Sequence, residues 1–181
     1  DICFVSQYRD DFWFDGPNPH AYLKQAFINN YKFLKRYINE EKVSIIIAMF
    51  GARKGRNSSE LDYMKNFFKG TTVTLLPRKN LSTYQAMESS KVVVTHHSTS
   101  VFEAFRWGKK VLFTADEIFR SLYQTNDDKN EKLFDEGIWL LTDINYESFK
   151  KRLNKLLAMS NHEYWKQTAQ IADYLMKYDP E

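Results

Sequence analysis

The sequence predicts an α/β fold: a parallel sheet of about six strands, with helices on both faces and two closing helices at the C-terminal end. Three observations carry that expectation. Short apolar runs recur along the chain, and they are continuous rather than alternating, as in strands buried on both faces. Longer stretches between them place apolar residues at helical spacing. Small, polar and basic residues gather just after the apolar runs, at the strands' C-terminal ends. In an open parallel sheet that is the edge where ligands usually sit.

Ile2 to Ser6 (ICFVS) is the first strand, with Gln7 just beyond its end. A loop holding Gly16, Pro17 and Pro19 leads into a helix from about His20 to Glu41, in which Leu23, Ala26, Phe27, Phe33, Leu34, Tyr37 and Ile38 share one side. Val43 to Phe50 is the second strand. The basic loop after it, Gly51 to Asn57, carries Arg53 and Lys54. It lacks the G-x-x-x-x-G-K-[ST] phosphate-loop pattern, so a solvated loop and a phosphate contact both fit it. A helix from about Ser59 to Lys69 ends at Gly70, Val73 to Leu76 is the third strand, and Pro77, Arg78, Lys79 and Asn80 lead to a short helix from Leu81 to Glu88.

The stretch from Lys91 to Thr114, KVVVTHHSTSVFEAFRWGKKVLFT, reads as strand, turn, helix, strand. Val92, Val93 and Val94 suit a buried strand, Val101 to Trp107 a helix closed by Gly108, and Val111 to Phe113 the next strand. Thr114 and Glu117 have capping-box spacing at the start of another helix, and Asn126 to Lys132 is a charged loop. Gly137 to Leu141 is the last strand. The closing helices run from about Asn145 to Met159 and His162 to Tyr178, with Ser160 and Glu163 as a further capping box. The alternation is Rossmann-like, with right-handed crossovers expected, in one domain over residues 1–181.

Composition narrows the function classes. The chain has 181 residues, 43% of them hydrophobic and 16% aromatic, enough for a sizeable core. A net charge of +3 suits a phosphate-bearing ligand without marking a nucleic-acid binder. Cys3 is the sole cysteine, so no internal disulfide forms, which fits a reducing compartment. No apolar run approaches the roughly 20 residues of a membrane span, and no signal-peptide pattern opens the chain. The chain enters a strand at once without an initiator Met, as expected of a piece of a longer cytoplasmic protein. No G-x-G-x-x-G follows the first strand, which argues against a dinucleotide-dependent oxidoreductase. No G-x-S-x-G elbow is present, against an α/β-hydrolase. His96 and His97 are adjacent and no Cys or His pair completes a set, against a zinc site. Asp10 and Asp11, neighbours in an extended loop, point apart rather than forming an acid/base pair.

The turn of His96, His97, Ser98, Thr99 and Ser100 is the strongest candidate site. It lies between a buried strand and a helix N-terminus, where free N–H groups and the helix dipole attract anions. Ser98 or Ser100 also reads as a plain N-cap, and Ser100 with Glu103 as a capping box. One cap uses one side chain, however, and here two histidines and three hydroxyls cluster.

These residues carry a resemblance. Ser82 to Ser90 (STYQAMESS), followed by KVVVTHHSTSVFEAFRWGKKVLF, resembles the C-terminal, nucleotide-sugar donor-binding domain of GT-B fold glycosyltransferases of the bacterial surface-polysaccharide type, which build capsule and lipopolysaccharide. The likeness in strand order runs from Ile2 to Tyr178 and is specific from Leu81 to Phe113. It implies the donor-binding half of an enzyme that moves a sugar from a nucleotide sugar to a polysaccharide or glycolipid acceptor. A missing N-terminal domain would serve the acceptor, without which the chain is inactive. No cofactor beyond the donor substrate, no metal and no nucleic acid are implied, and the full-length protein would work at the inner face of the membrane.

Residue by residue, the resemblance implies that Ser98, Thr99 and Ser100 hold the donor phosphates and that Glu103 accepts from the ribose hydroxyls. Arg78 and Lys79 would border the base, Arg53 and Lys54 would neutralise the leaving phosphate, and Ser6 and Gln7 would face the same cleft. His96 or His97 would take the catalytic place beside the phosphate or the transferred sugar. The His-Pro pair of sialyltransferase-like members is absent, against a CMP-sugar donor, and no Glu stands where many retaining members place the first Glu of E-x(7)-E, counted back from Glu103. Two alternatives remain open: a GT-B-like nucleotide-sugar 2-epimerase or polyol-phosphate transferase, and a non-catalytic α/β module that binds a partner protein.

Overall fold

The computed structural model describes residues 1–8, 21–49, 56–96, 98–114 and 137–176, with backbone alone at 21–24 and 56–59. Among these residues the elements are β1 (Ile2–Val5), α1 (Ala21–Glu41), β2 (Ile45–Ala48), α2 (Arg56–Phe67), β3 (Val73–Leu76), α3 (Ser82–Ser89), β4 (Val92–Thr95), α4 (Thr99–Arg106), β5 (Val111–Thr114), β6 (Leu140–Leu141), α5 (Tyr146–Ala158) and α6 (Asn161–Leu175). The strands form a six-stranded parallel sheet in the order β3-β2-β1-β4-β5-β6. The α/β, Rossmann-like expectation holds; β1, β2, β3 and β6 fall inside the runs that predicted them, while β4 and β5 each extend one residue beyond, to Thr95 and Thr114. The helix expected after Phe113 and the charged loop from Asn126 to Lys132 lie outside the described residues. The backbone groups into two compact units, Asp1–Ser90 and Lys91–Glu181.

In the first unit, β2 pairs in parallel with β1 and β3, with Ile47 opposite both Phe4 and Leu75. All four residues of β1 are buried. The helix α1 covers them with Phe27, Tyr31, Leu34, Tyr37 and Ile38, which recur at helical spacing. Phe33 and Ala26, expected on that side, sit at its half-buried margin. The Tyr31 ring meets Phe4 edge-on at 5.6 Å. From the same unit, α3 packs on β1 and β2, and α2 on β3.

In the second unit, β5 lies between β4 and β6, and both β4 and β5 are fully buried. Phe113 is their anchor: it stacks on Phe102 of α4 at 4.8 Å and meets Trp139 edge-on at 5.9 Å. Burying one such ring contributes about 1.5–3 kcal/mol. The α6 hydroxyl of Tyr164 donates to the Val111 carbonyl at 2.8 Å and accepts from the Val111 N–H at 3.0 Å, tying the last helix to the start of β5. Burial pushes the Tyr164 phenol far above its ordinary pKa, so it remains a donor. Gly108 closes α4 as the sequence predicts: its φ of +81° is the left-handed conformation glycine adopts without strain.

The caps divide between confirmation and correction. Ser160 and Glu163 form the expected capping box at the head of α6. Ser100 and Glu103 do not. The N-cap of α4 is Ser98, two residues earlier, and its side chain makes no capping bond. Ser100 therefore lies inside the helix, where it has no N-cap role.

Candidate functional site

In the second unit the candidate turn begins where β4 ends. Thr95 is fully buried, and its carbonyl accepts from the Thr114 hydroxyl at 3.3 Å. Thr95 Oγ1 in turn accepts the Ser98 N–H at 3.4 Å, which bends the chain out of the sheet. The Ser98 and Ser100 hydroxyls lie 3.0 Å apart. They flank Thr99, the exposed first residue of α4. The first N–H groups of a helix have no intrahelical acceptor. The turn thus brings hydroxyls and helix-head amides together, as an anion site requires. Glu103 stands one helical turn beyond Thr99 and is partly exposed. His96 is only 2% exposed, in the floor of the turn. His97 lies outside the described residues.

In the first unit the C-terminal end of β1 is built differently. Ser6 is 1% exposed, and its hydroxyl is engaged by its own chain. It donates to Glu60 Oε1 at 2.7 Å, lies 3.2 Å from the Tyr31 hydroxyl, and accepts the Tyr8 N–H at 3.2 Å. A serine has one proton, and Glu60 takes it, so Tyr31 is the donor in the remaining hydroxyl pair. Burial above all, with the nearby Glu60, Tyr63 and Tyr8 adding, raises the Tyr31 pKa well above its ordinary value despite the opposing bond to Ser6. Tyr31 therefore stays protonated and able to donate. Ser6 is turned inward, away from the open-edge position expected for it, while Gln7 is half-buried. Arg78 and Lys79 are exposed on the loop after β3. Ser82 at the head of α3 holds that loop, accepting from the Lys79 N–H at 2.9 Å and donating to the Lys79 carbonyl at 3.0 Å. Arg53 and Lys54 lie outside the described residues.

Sequence reasoning missed Glu60, a carboxylate 1% exposed. The signal was present: Glu60 shares the buried side of its helix and the turn after it with Met64 and Phe68, at i, i+4 and i+8. A charge in an apolar stripe marks a buried partner. Among the described residues, no group of three or more His, Cys, Asp or Glu could hold a metal ion. No described helix is long and apolar enough to cross a membrane.

The family described as "putative O-antigen biosynthesis protein" matches residues 1–181. The chain belongs to that family. None of the curated protein sequences matches it. Among solved structures, the catalytic domain of cholesterol-alpha-glucosyltransferase from Helicobacter pylori is similar in fold, with a TM-score of 0.50, 10% sequence identity, and coverage of 94% of this chain and 96% of that one. At that identity the likeness is one of fold alone. Family and fold agree with the expected resemblance: the chain is an α/β domain of a family described as putative O-antigen biosynthesis proteins, similar in fold to that glucosyltransferase's catalytic domain.

Proposed function

We propose that this chain is the nucleotide-sugar-binding part of a glycosyltransferase that adds a sugar to a growing surface glycan or its lipid-linked precursor. The observation that carries the reading is the head of α4, where the N-cap side chain is not used for capping and instead meets a second serine hydroxyl at 3.0 Å. A structural cap would direct its oxygen to its own helix. Here the hydroxyls and the helix-head amides are arranged for an external anion.

The chemistry follows from where charge develops. As the sugar leaves, negative charge grows on the departing nucleotide phosphate. Donors held in place before the reaction stabilise that charge without reorganising. Ser98, Thr99 and Ser100 serve this role, and Glu103 accepts from the ribose. His96, being buried, acts on the shape of the turn, and His97 is left as the histidine for the sugar side. Acceptor binding belongs to the domain the resemblance implies upstream.

A melting-temperature series with UDP, GDP, CDP, CMP and ADP tests this reading. One nucleoside diphosphate is expected to raise the melting temperature, since a ligand at 100 times its Kd adds about 2.7 kcal/mol. The double variant Ser98→Ala, Ser100→Ala is expected to weaken that ligand about tenfold, as loss of hydrogen bonds to a charged group implies. If no nucleotide shifts the melting temperature, the reading fails.

A further inference from the structure

One cavity of the first unit has no place in the chemistry above. Its volume is about 400 Å3, inside the range of about 300–1,000 Å3 typical of small-molecule sites. Two stretches of chain line it. Asn39 and Lys42 come from the end of α1, and Ser44 precedes β2. Gly70, Thr71 and Thr72 come from the connection between α2 and β3. The cavity therefore lies where β2 and β3 begin. At Gly70 the place of a side chain is empty to 4 Å, so a ligand can approach the main chain there.

One lining residue breaks a local rule. Lys42 is the first residue past α1, and its N–H donates to the Ile38 carbonyl at 3.0 Å. That bond belongs to the left-handed helix ending, in which glycine is the usual residue. Lys42 adopts it with a φ of +52°, a conformation that strains any residue with a side chain and leaves glycine unstrained. The other stretch does use glycine for its left-handed residue, Gly70 at φ +81°. A cation also complements the dipole at a helix C-terminus, but a lysine anywhere in the last turn serves that end. Strain of this kind is kept where the side chain is used.

The lining also sets the class of ligand. Lys42 supplies donors, while Asn39 and Thr72 supply both donors and acceptors. The Thr71 hydroxyl donates to the Phe68 carbonyl at 2.6 Å, which leaves its oxygen to accept. The charge of Lys42 is offset by Glu41, beside it in sequence, and by the partial negative charge at the end of α1. Donors and acceptors with little net charge suit an uncharged ligand rich in hydroxyls better than a phosphate. Sugar units have that chemistry, and the family's description, O-antigen biosynthesis, concerns a sugar polymer. We infer that this cavity binds a neutral sugar unit, with Lys42 and Asn39 donating to its hydroxyls and Thr71 accepting from one. The inference goes beyond nucleotide binding and does not rest on it.

The test titrates the whole chain, labelled with nitrogen-15, with the methyl glycosides of glucose, galactose, mannose, N-acetylglucosamine and rhamnose, and separately with inorganic phosphate. At least one glycoside is expected to shift the amides of Lys42, Ser44, Gly70, Thr71 and Thr72, with a Kd of about 1 mM. Two variants, Lys42→Gly and Asn39→Ala, are expected to weaken that glycoside about tenfold. Both positions are exposed, so both variants fold. Melting temperature separates use from structure. Lys42→Gly relieves the left-handed strain and is expected to melt no lower than wild type while it loses the sugar. No shift with any glycoside overturns the inference, as does phosphate shifting these amides when no glycoside does. Glycoside affinity unchanged in both variants overturns it too. A Lys42→Gly protein that melts clearly below wild type overturns it in favour of a helix-capping role for the lysine. Nucleotide binding is read separately by the melting-temperature series, so either reading can fail alone.

Discussion

Lys110 shows how much a single residue can conceal. In the sequence it is the second lysine of Gly108-Lys109-Lys110, an ordinary lead into a strand. In the structure it is 5% exposed, and its ammonium donates to the carbonyls of Leu156 at 2.8 Å and Met159 at 2.6 Å. These are the unsatisfied carbonyls at the end of α5, where the helix dipole also favours a cation. Burial first, then the charges of Lys91 and Lys109, hold its pKa below the usual lysine value. A lysine with a lowered folded-state pKa binds its proton less tightly in the folded chain. Its titration therefore opposes folding at neutral pH and ceases to do so only as pH climbs through the lowered pKa toward the unfolded value. The hydrogen bonds act the other way and dominate at neutral pH, because losing them leaves two carbonyls without a donor. Lys110→Met keeps the stem and removes the donor. It is expected to destabilise the chain by about 1–3 kcal/mol, read as a melting temperature lower by about 2–4 °C per kcal/mol. A melting temperature equal to wild type would show that the cap contributes nothing. Glu60 and Tyr31 were hidden in the same way: a charge and a phenol on helices show their type in a sequence, while the partner that explains their burial lies far along the chain.

At the scale of elements, the strands were the most legible. Runs such as Val92–Val94 and Ile45–Ile47 are apolar without interruption, and only burial on both faces accommodates that. Caps were legible in type but not in place. Ser160 with Glu163 and Ser100 with Glu103 have the same spacing, yet only the first pair forms the box. The reason is register: α4 starts from Ser98, so Ser100 is already helical, and spacing alone cannot say which of several hydroxyls the helix begins from. The formed box makes a pH prediction. The backbone N–H and hydroxyl of Ser160 both donate to Glu163, at 3.0 and 2.9 Å, and hold its pKa below the usual 4.5. A carboxylate with a lowered folded-state pKa adds stability above its unfolded pKa and loses it as pH falls through the folded one. Wild type is therefore expected to melt above Glu163→Gln at pH 7, with the gap closing as pH drops below about 4. Melting curves of both proteins between pH 7 and pH 3 check this, and a gap that stays constant counts against it.

For the whole molecule, the question is what kind of electrostatics recognises the ligand. The net charge is only +3, spread over 26 basic and 23 acidic residues, so a long-range field contributes little. The candidate turn offers the alternative, since hydroxyls and helix-head amides act at contact distance and are fixed by the fold. These two sources separate by salt. At 0.1 M ionic strength exposed charges are felt over about 10 Å, and at 1 M over about 3 Å. Contributions from exposed lysines and arginines should fade over that range, whereas hydrogen bonds from Ser98, Ser100 and the first amides of α4 should persist. If the proposed turn binds the nucleotide, affinity is expected to fall less than about tenfold between 0.1 and 1 M sodium chloride. The loss caused by Ser98→Ala with Ser100→Ala should keep its full size at the higher salt. Isothermal titration of the wild type and this double variant at both salt concentrations gives the comparison. A steep loss of affinity with salt, together with a serine effect that vanishes at 1 M, would assign recognition to the exposed cations and remove the turn from the site.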